Sequence, residues 1–164
     1  MMKIKAYIFD WGDTLMVDYK DETGPMYKWS KMSLCKNALE TLKELSKCAK
    51  CFLATNAKDS TKNEIKMALD KVGLLKYIDD IFCFQELGEM KPGKNYFEKM
   101  INILGLKPKQ IMIIGDDIIK DYKWALDNGA KAKLYDPTNS VSDIRIDKIN
   151  DLLELITDGL GYVS

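Results

Sequence analysis

Apolar residues along this chain fall into two alternating patterns. One is a short unbroken run; the other is a longer stretch in which apolar residues recur every three or four positions. Runs of four to eight apolar residues bounded by turn signals read as strands, and the spaced pattern reads as amphipathic helix. The runs are Lys5 to Phe9, Lys50 to Ala54, Ile81 to Phe84, Gln110 to Ile114 and Ala132 to Tyr135, with Val141 to Ile146 as a sixth. Helices are predicted over Asn37 to Lys47, with Leu39, Leu42 and Leu45 on one side, and after the capping-box signature Asp59-Ser60-Thr61…Glu64. Gly73 marks the end of that second helix. Glu86 to Met90 reads as loop. A third helix opens with Lys91-Pro92 in its first turn, carries Tyr96, Phe97, Met100, Ile101 and Leu104, and closes at Gly105. A fourth, from about Ile118, shows Tyr122, Ala125 and Leu126 and stops at Asn128-Gly129; Lys148 to Ile156 reads as a last helix.

Strands thus alternate with single amphipathic helices, and the strands are apolar on both faces. Together these predict an α/β fold: a doubly wound, mostly parallel sheet with right-handed crossovers. No repeat or linker interrupts it, so residues 1–164 read as one domain. Its only insertion is a flap at about residues 16–35, too short to form a large cap.

Composition narrows the function by exclusion. Lys plus Arg and Asp plus Glu are 25 each, for a formal net charge of zero. That balance gives no reason to expect nucleic acid or an anionic membrane as partner. No apolar stretch approaches the ~20 residues of a membrane span, and the start carries no signal-peptide core; a cytoplasmic location is expected. The four cysteines include the pair Cys48 and Cys51, but no second pair and no histidine completes a metal site, so reduced thiols used as small hydrophobes are expected. The lack of histidine also excludes Ser-His-Asp and Cys-His hydrolysis. Acid/base or metal chemistry falls to carboxylates, Lys, Tyr, Cys or water.

In an open α/β sheet, ligands bind beyond the carboxyl ends of the strands. The polar residues at those ends are Asp10 and Asp13 after the first strand and Thr55 and Asn56 after the second. Lys91 lies beyond the third, and Asp116, Asp117 and Asp121 follow the fourth. Carboxylates this crowded repel one another unless a cation sits among them, and an all-oxygen set suits Mg²⁺. A lysine and a hydroxyl beside it suit phosphate oxygens.

Four segments in order carry a resemblance. Asp10-Trp11-Gly12-Asp13-Thr14, Phe52-Leu53-Ala54-Thr55, Lys91-Pro92 and Gly115-Asp116 through Asp121 resemble the four motifs of the haloacid dehalogenase-like (HAD) superfamily. Most of its members are Mg²⁺-dependent phosphohydrolases. The resemblance implies a capless or small-cap phosphatase in which Asp10 attacks phosphorus to form an aspartyl-phosphate. Mg²⁺ would be held by Asp10, the carbonyl of Gly12 and Asp116. Asp121 and Asp117 would support the metal's water shell or Lys91, and Thr55, Lys91 and Asn56 would contact substrate. One position departs from the pattern. The family's acid/base aspartate stands two residues after the nucleophile, where this chain has Gly12, with the carboxylate one place on at Asp13. Asp13 either replaces the acid or caps the next turn. An alternative function follows, a weakened phosphate-binding or regulatory domain. A two-component receiver is disfavoured, because receivers place the phosphorylated aspartate after the third strand. With no large cap the site should be open. It should admit a small phosphate ester or a phosphorylated macromolecule, or be closed by a second copy through Met26, Tyr27, Trp29 and Met32.

Overall fold

A computed structural model describes residues 2–156 of the chain. Six strands form one sheet in the order β3-β2-β1-β4-β5-β6. They are β1 (Ala6–Phe9), β2 (Lys50–Ala54), β3 (Asp80–Phe82), β4 (Ile111–Gly115), β5 (Lys131–Tyr135) and β6 (Lys148–Ile149). All five pairings are parallel. The chain moves outward from β1 to β3, then crosses back to lay β4 on the other side of β1. That reversal opens a crevice between the carboxyl ends of β1 and β4. Phe9 pairs with Ile114, so Asp10 and Asp116 follow neighbouring strand ends.

Helices cover both faces, and the alternation of side chains along each strand decides which face each residue serves. Tyr7 and Phe9 point to one face, where they meet Leu42 and Leu45 of α1 (Ala38–Leu45) and Ile65, Ala68 and Leu69 of α2 (Lys62–Lys71). Ala6 and Ile8 point to the other, against Tyr96, Phe97 and Met100 of α4 (Lys94–Leu104) and Trp124 and Ala125 of α5 (Trp124–Asp127). Burying β1 on both sides is what an unbroken apolar run encodes. The predicted capping box closes α2: the Thr61 hydroxyl accepts from Glu64 N–H, and the Glu64 carboxylate accepts from Thr61 N–H. No helix among the described residues is long and apolar enough to cross a membrane.

Five local predictions are corrected. Val141 to Ile146 is not a strand; Asp136 gathers that loop by accepting from Ser140 N–H, Val141 N–H and Lys148 Nζ, and the sixth strand is Lys148–Ile149. The final helix therefore starts only near residue 154, and its predicted end borders residues outside those described. Phe84–Leu87 is one helical turn, α3, rather than the end of a strand. Pro92 precedes α4 instead of occupying its first turn, because Gly93 is the N-cap. Finally, residues 118–123 are wound as a π-helix before α5, which rotates the buried side so that Trp124 faces the core and Leu126 is exposed. All four cysteines are free; Cys51 and Cys83 are buried, while Cys48 is exposed. Burial pushes the thiols of Cys35 and Cys51 up to about 12, so they stay protonated and inert.

Candidate active site

At the crevice floor one ammonium is shared by two carboxylates. Lys91 Nζ lies 3.0 Å from Asp10 Oδ1 and 2.7 Å from Asp121 Oδ1. The lysine side chain is 3% exposed and that of Asp121 2%. Burial alone would pull the Lys91 ammonium down, but the charges of Asp10 and Asp121 outweigh it and hold the pKa well above the usual lysine value. Asp116 completes the cluster: carboxylate oxygens of Asp10, Asp116 and Asp121 all lie within 4.8 Å of one another. Asp116 is open on its cleft side, yet the protein behind it desolvates its carboxyl. With the neighbouring Asp10 adding to the effect, its pKa rises to about 7. Three carboxylates around one cation leave an excess of negative charge. That hard, all-oxygen donor set fits a divalent cation such as Mg²⁺.

The sequence places Lys91 here through groups on three elements. The Asn56 side chain clamps the Lys91 backbone, donating to its carbonyl (2.8 Å) and accepting from its N–H (2.7 Å). Tyr96 donates from its hydroxyl toward the carbonyls of Phe82 (2.8 Å) and Thr55 (3.1 Å), fixing α4 on the ends of β2 and β3. The Trp124 indole donates to Gly93 O at 2.9 Å and packs edge-on against Tyr96 and Phe97. Asn56, expected at the substrate, is thus a residue that positions Lys91, and Tyr96 and Trp124 join it. Sequence reasoning assigned Tyr96 to the core alone; its hydroxyl beside two strand-end carbonyls was the missed role. Gly115 is required for closeness, since a methyl group there would overlap the Asp121 carboxyl.

Of two further expected contacts, Asp117 is otherwise engaged and Thr55 keeps a free donor. Asp117 caps the next helical turn, its Oδ1 accepting from Ile119 and Lys120 N–H, both at 2.8 Å, and it stands outside the three-carboxylate cluster. Its own N–H donates to Asp121 Oδ2 at 3.1 Å. Thr55 is 4% exposed; its Oγ1 accepts from Ala57 N–H at 3.1 Å, which leaves the hydroxyl proton available to a ligand in the cleft.

Opposite this floor, residues 11–36 build a wall. Trp11 O accepts from Leu15 and Met16 N–H in a tight turn that sets Asp13 at φ 58°. In that conformation Asp13 Oδ1 accepts from Asp18 N–H at 2.9 Å. Thr14 is fully buried, and its hydroxyl donates to Asp116 Oδ1 at 3.2 Å, joining the first motif to the fourth. Asp18 Oδ2 pairs with Lys20 Nζ at 2.7 Å. Gly12 faces Asp18: a Cβ at position 12 would lie 3.2 Å from Asp18 Cβ and 3.5 Å from its Oδ2. Met26 is buried in the core, and Tyr27, Trp29 and Met32 are half-buried against it, so much of the flap's apolar surface is spent within the chain. Floor and wall enclose a cleft of about 550 Å³ that reaches from Asp10 and Lys91 to Asp18, Lys20 and Trp29.

Comparison with known proteins agrees with this geometry. A family profile described as haloacid dehalogenase-like hydrolase matches residues 7–134. The chain is 27% identical over 141 residues to a ribulose-1,5-bisphosphate 5-phosphatase of Halopiger xanaduensis, covering 77% of this chain and 58% of that protein. It is 26% identical over 114 residues to the human N-acylneuraminate-9-phosphatase, covering 70% and 45%. The chain thus spans about half the length of the curated relatives it matches. Among solved structures, an uncharacterized protein from Listeria monocytogenes serotype 4b superposes with a TM-score of 0.83 at 24% identity, covering 96% of this chain and 97% of that one.

Proposed function

This chain belongs to the haloacid dehalogenase-like hydrolases, and from that premise we propose that it is a Mg²⁺-dependent phosphohydrolase that cleaves a phosphomonoester through an aspartyl-phosphate on Asp10. One observation carries the reading: Asp10, Asp116 and Asp121 converge around the buried ammonium of Lys91 at the crevice between β1 and β4. A structural ion pair would need one carboxylate for one lysine. The surplus negative charge suits a cation and, through it, an anionic substrate. The phosphatase relatives support the same reading.

The residues divide the work as follows. Asp10 Oδ attacks phosphorus while the bond from phosphorus to the leaving oxygen breaks, and water later releases phosphate from the acyl-phosphate. Lys91 aligns the Asp10 carboxylate and, with the Thr55 hydroxyl, donates to the transferring phosphoryl oxygens. Asp121 holds Lys91, and Asn56 holds the loop that carries it. Asp10, Asp116 and the carbonyl of Gly12 would hold Mg²⁺, which when bound offsets the repulsion between the anionic nucleophile and the anionic phosphate. The open cleft admits either a small ester or a phosphate on a macromolecule.

Phosphate release from p-nitrophenyl phosphate tests this. Activity should require Mg²⁺, vanish on chelation, and fall to background in Asp10→Asn. Equal rates for wild type and Asp10→Asn at every Mg²⁺ concentration would refute it. The bare Gly12 favours one second reading, a phosphate-binding domain with little turnover. That reading gains if wild type binds Mg²⁺ and phosphate but releases none from any ester.

A further inference from the structure

We propose that Asp18 supplies the acid/base carboxylate that position 12 lacks, a role that rests on the phosphohydrolase reading above. The geometry is specific. Gly12 presents its bare Cα to the Asp18 side chain, which fills the volume a side chain at 12 would enter: Cβ at 3.2 Å, Oδ2 at 3.5 Å and Cγ at 3.6 Å from a Cβ there. Asp18 comes from six residues further along the chain, and the turn at residues 11–16 folds it back to this place. Both residues line the cleft that contains Asp10.

Asp13, the sequence-based candidate, is held away from this duty. Its Oδ1 accepts from Asp18 N–H, so Asp13 acts as the anchor of Asp18. Asp18 Oδ2 rests on the Lys20 ammonium, while its Oδ1 has no hydrogen-bond partner among the described residues. In the hydrolytic step Asp18 takes a proton from water as the water oxygen attacks phosphorus. The bond from phosphorus to Asp10 then breaks, releasing phosphate and the Asp10 carboxylate. In the next cycle Asp18 returns that proton to the leaving oxygen of the ester, which departs as an alcohol, and Asp18 is again a carboxylate.

The experiment compares Asp18→Asn, Asp13→Asn, Gly12→Asp/Asp18→Ala and Asp10→Asn, using the whole chain with Mg²⁺. Substrates are p-nitrophenyl phosphate, whose leaving group needs little protonation, and glycerol phosphate, whose leaving group needs it. With p-nitrophenyl phosphate, Asp18→Asn should give a burst of one nitrophenol per enzyme and then turn over about 10²-fold or more below wild type. Its loss on glycerol phosphate should be larger still. Asp13→Asn should stay at least tenfold more active than Asp18→Asn, because the Asn side-chain oxygen still accepts from Asp18 N–H. Gly12→Asp/Asp18→Ala should regain turnover above Asp18→Asn, since the two carboxylates share one space. Asp18→Asn within threefold of wild type overturns the proposal. So does a loss without a burst that Gly12→Asp/Asp18→Ala leaves unrepaired. If Asp10→Asn matches wild type, the phosphohydrolase reading itself fails, and that outcome is distinguished by this fourth variant.

Discussion

The floor and the wall of the cleft carry charge in opposite ways. On the floor, Lys91 meets Asp10 and Asp121 across 81 and 30 residues of sequence, with lysine and Asp121 side chains 3% and 2% exposed. On the wall, Asp13, Asp18 and Lys20 meet across two to seven residues, with side chains 43%, 39% and 79% exposed. Floor contacts exist only when the sheet is assembled, and they sit where charge interacts strongly. Wall contacts are local, solvated and individually weak. The floor is therefore suited to the part of the reaction every phosphate ester shares, and the wall to the part that meets the leaving group. On the proposed reading, the fold fixes phosphoryl transfer and a short loop adjusts acid/base supply.

The contrast breaks most visibly at the two lysines. Lys91→Met leaves Asp10 and Asp121 facing each other in the interior without a counter-charge. It should cost about 3–5 kcal/mol in denaturant unfolding, the usual result of removing one partner of a buried pair. Lys20→Met removes an exposed pair and should cost less than about 1 kcal/mol. Equal losses would mean that the floor is as solvated as the wall.

A pH titration sharpens the same contrast without changing the charge at Lys91. Burial and the nearby Asp10 raise the Asp116 carboxyl from 3.8 to about 7 in the folded chain. A carboxyl raised on folding binds its proton more tightly in the native state. Its contribution to stability is therefore fully present below pH 3.8 and lost as pH rises through about 7. In chelator, thermal stability should decline from about pH 4 to about pH 7, and Asp116→Asn should flatten that decline. Mg²⁺ at about 100 times its dissociation constant should restore about 2.7 kcal/mol at the alkaline end, through binding to the native state alone.

How much of this was legible in the residues follows the same division. Apolar runs ending in Asp10, Thr55 and Gly115-Asp116 revealed the floor, because strand periodicity and chain direction suffice to bring strand ends together. The capping box at Thr61 was equally readable, being a short-range rule. The π-helical turn at residues 118–123 was not, since it depends on seating Asp121 against Gly115 and Lys91, contacts remote in sequence. Tyr96 looked like core because its ring is core; only the assembled sheet brings Phe82 and Thr55 carbonyls to its hydroxyl. Asp18 carried no motif at all. Its place opposite Gly12 comes from the positive φ of Asp13 and the turn it anchors, which hydrophobic patterning does not encode.

That anchor supplies the smallest effect. Asp13 does two things in the folded chain: it adopts φ 58°, and its Oδ1 accepts from Asp18 N–H. Asn tolerates the left-handed region and retains a side-chain acceptor, so Asp13→Asn should be within about 0.5 kcal/mol of wild type. Gly favours the conformation but drops the acceptor, so Asp13→Gly should lose about 1 kcal/mol. Ala loses the acceptor and also strains at positive φ, and Asp13→Ala should lose about 2 kcal/mol. Urea unfolding of the three variants checks the order Asn, Gly, Ala. If Gly and Ala lose the same amount, the hydrogen bond rather than the backbone conformation governs the turn. If all three are equal to wild type, the wall does not depend on Asp13, and the position of Asp18 must be set by Lys20 and the flap beyond it.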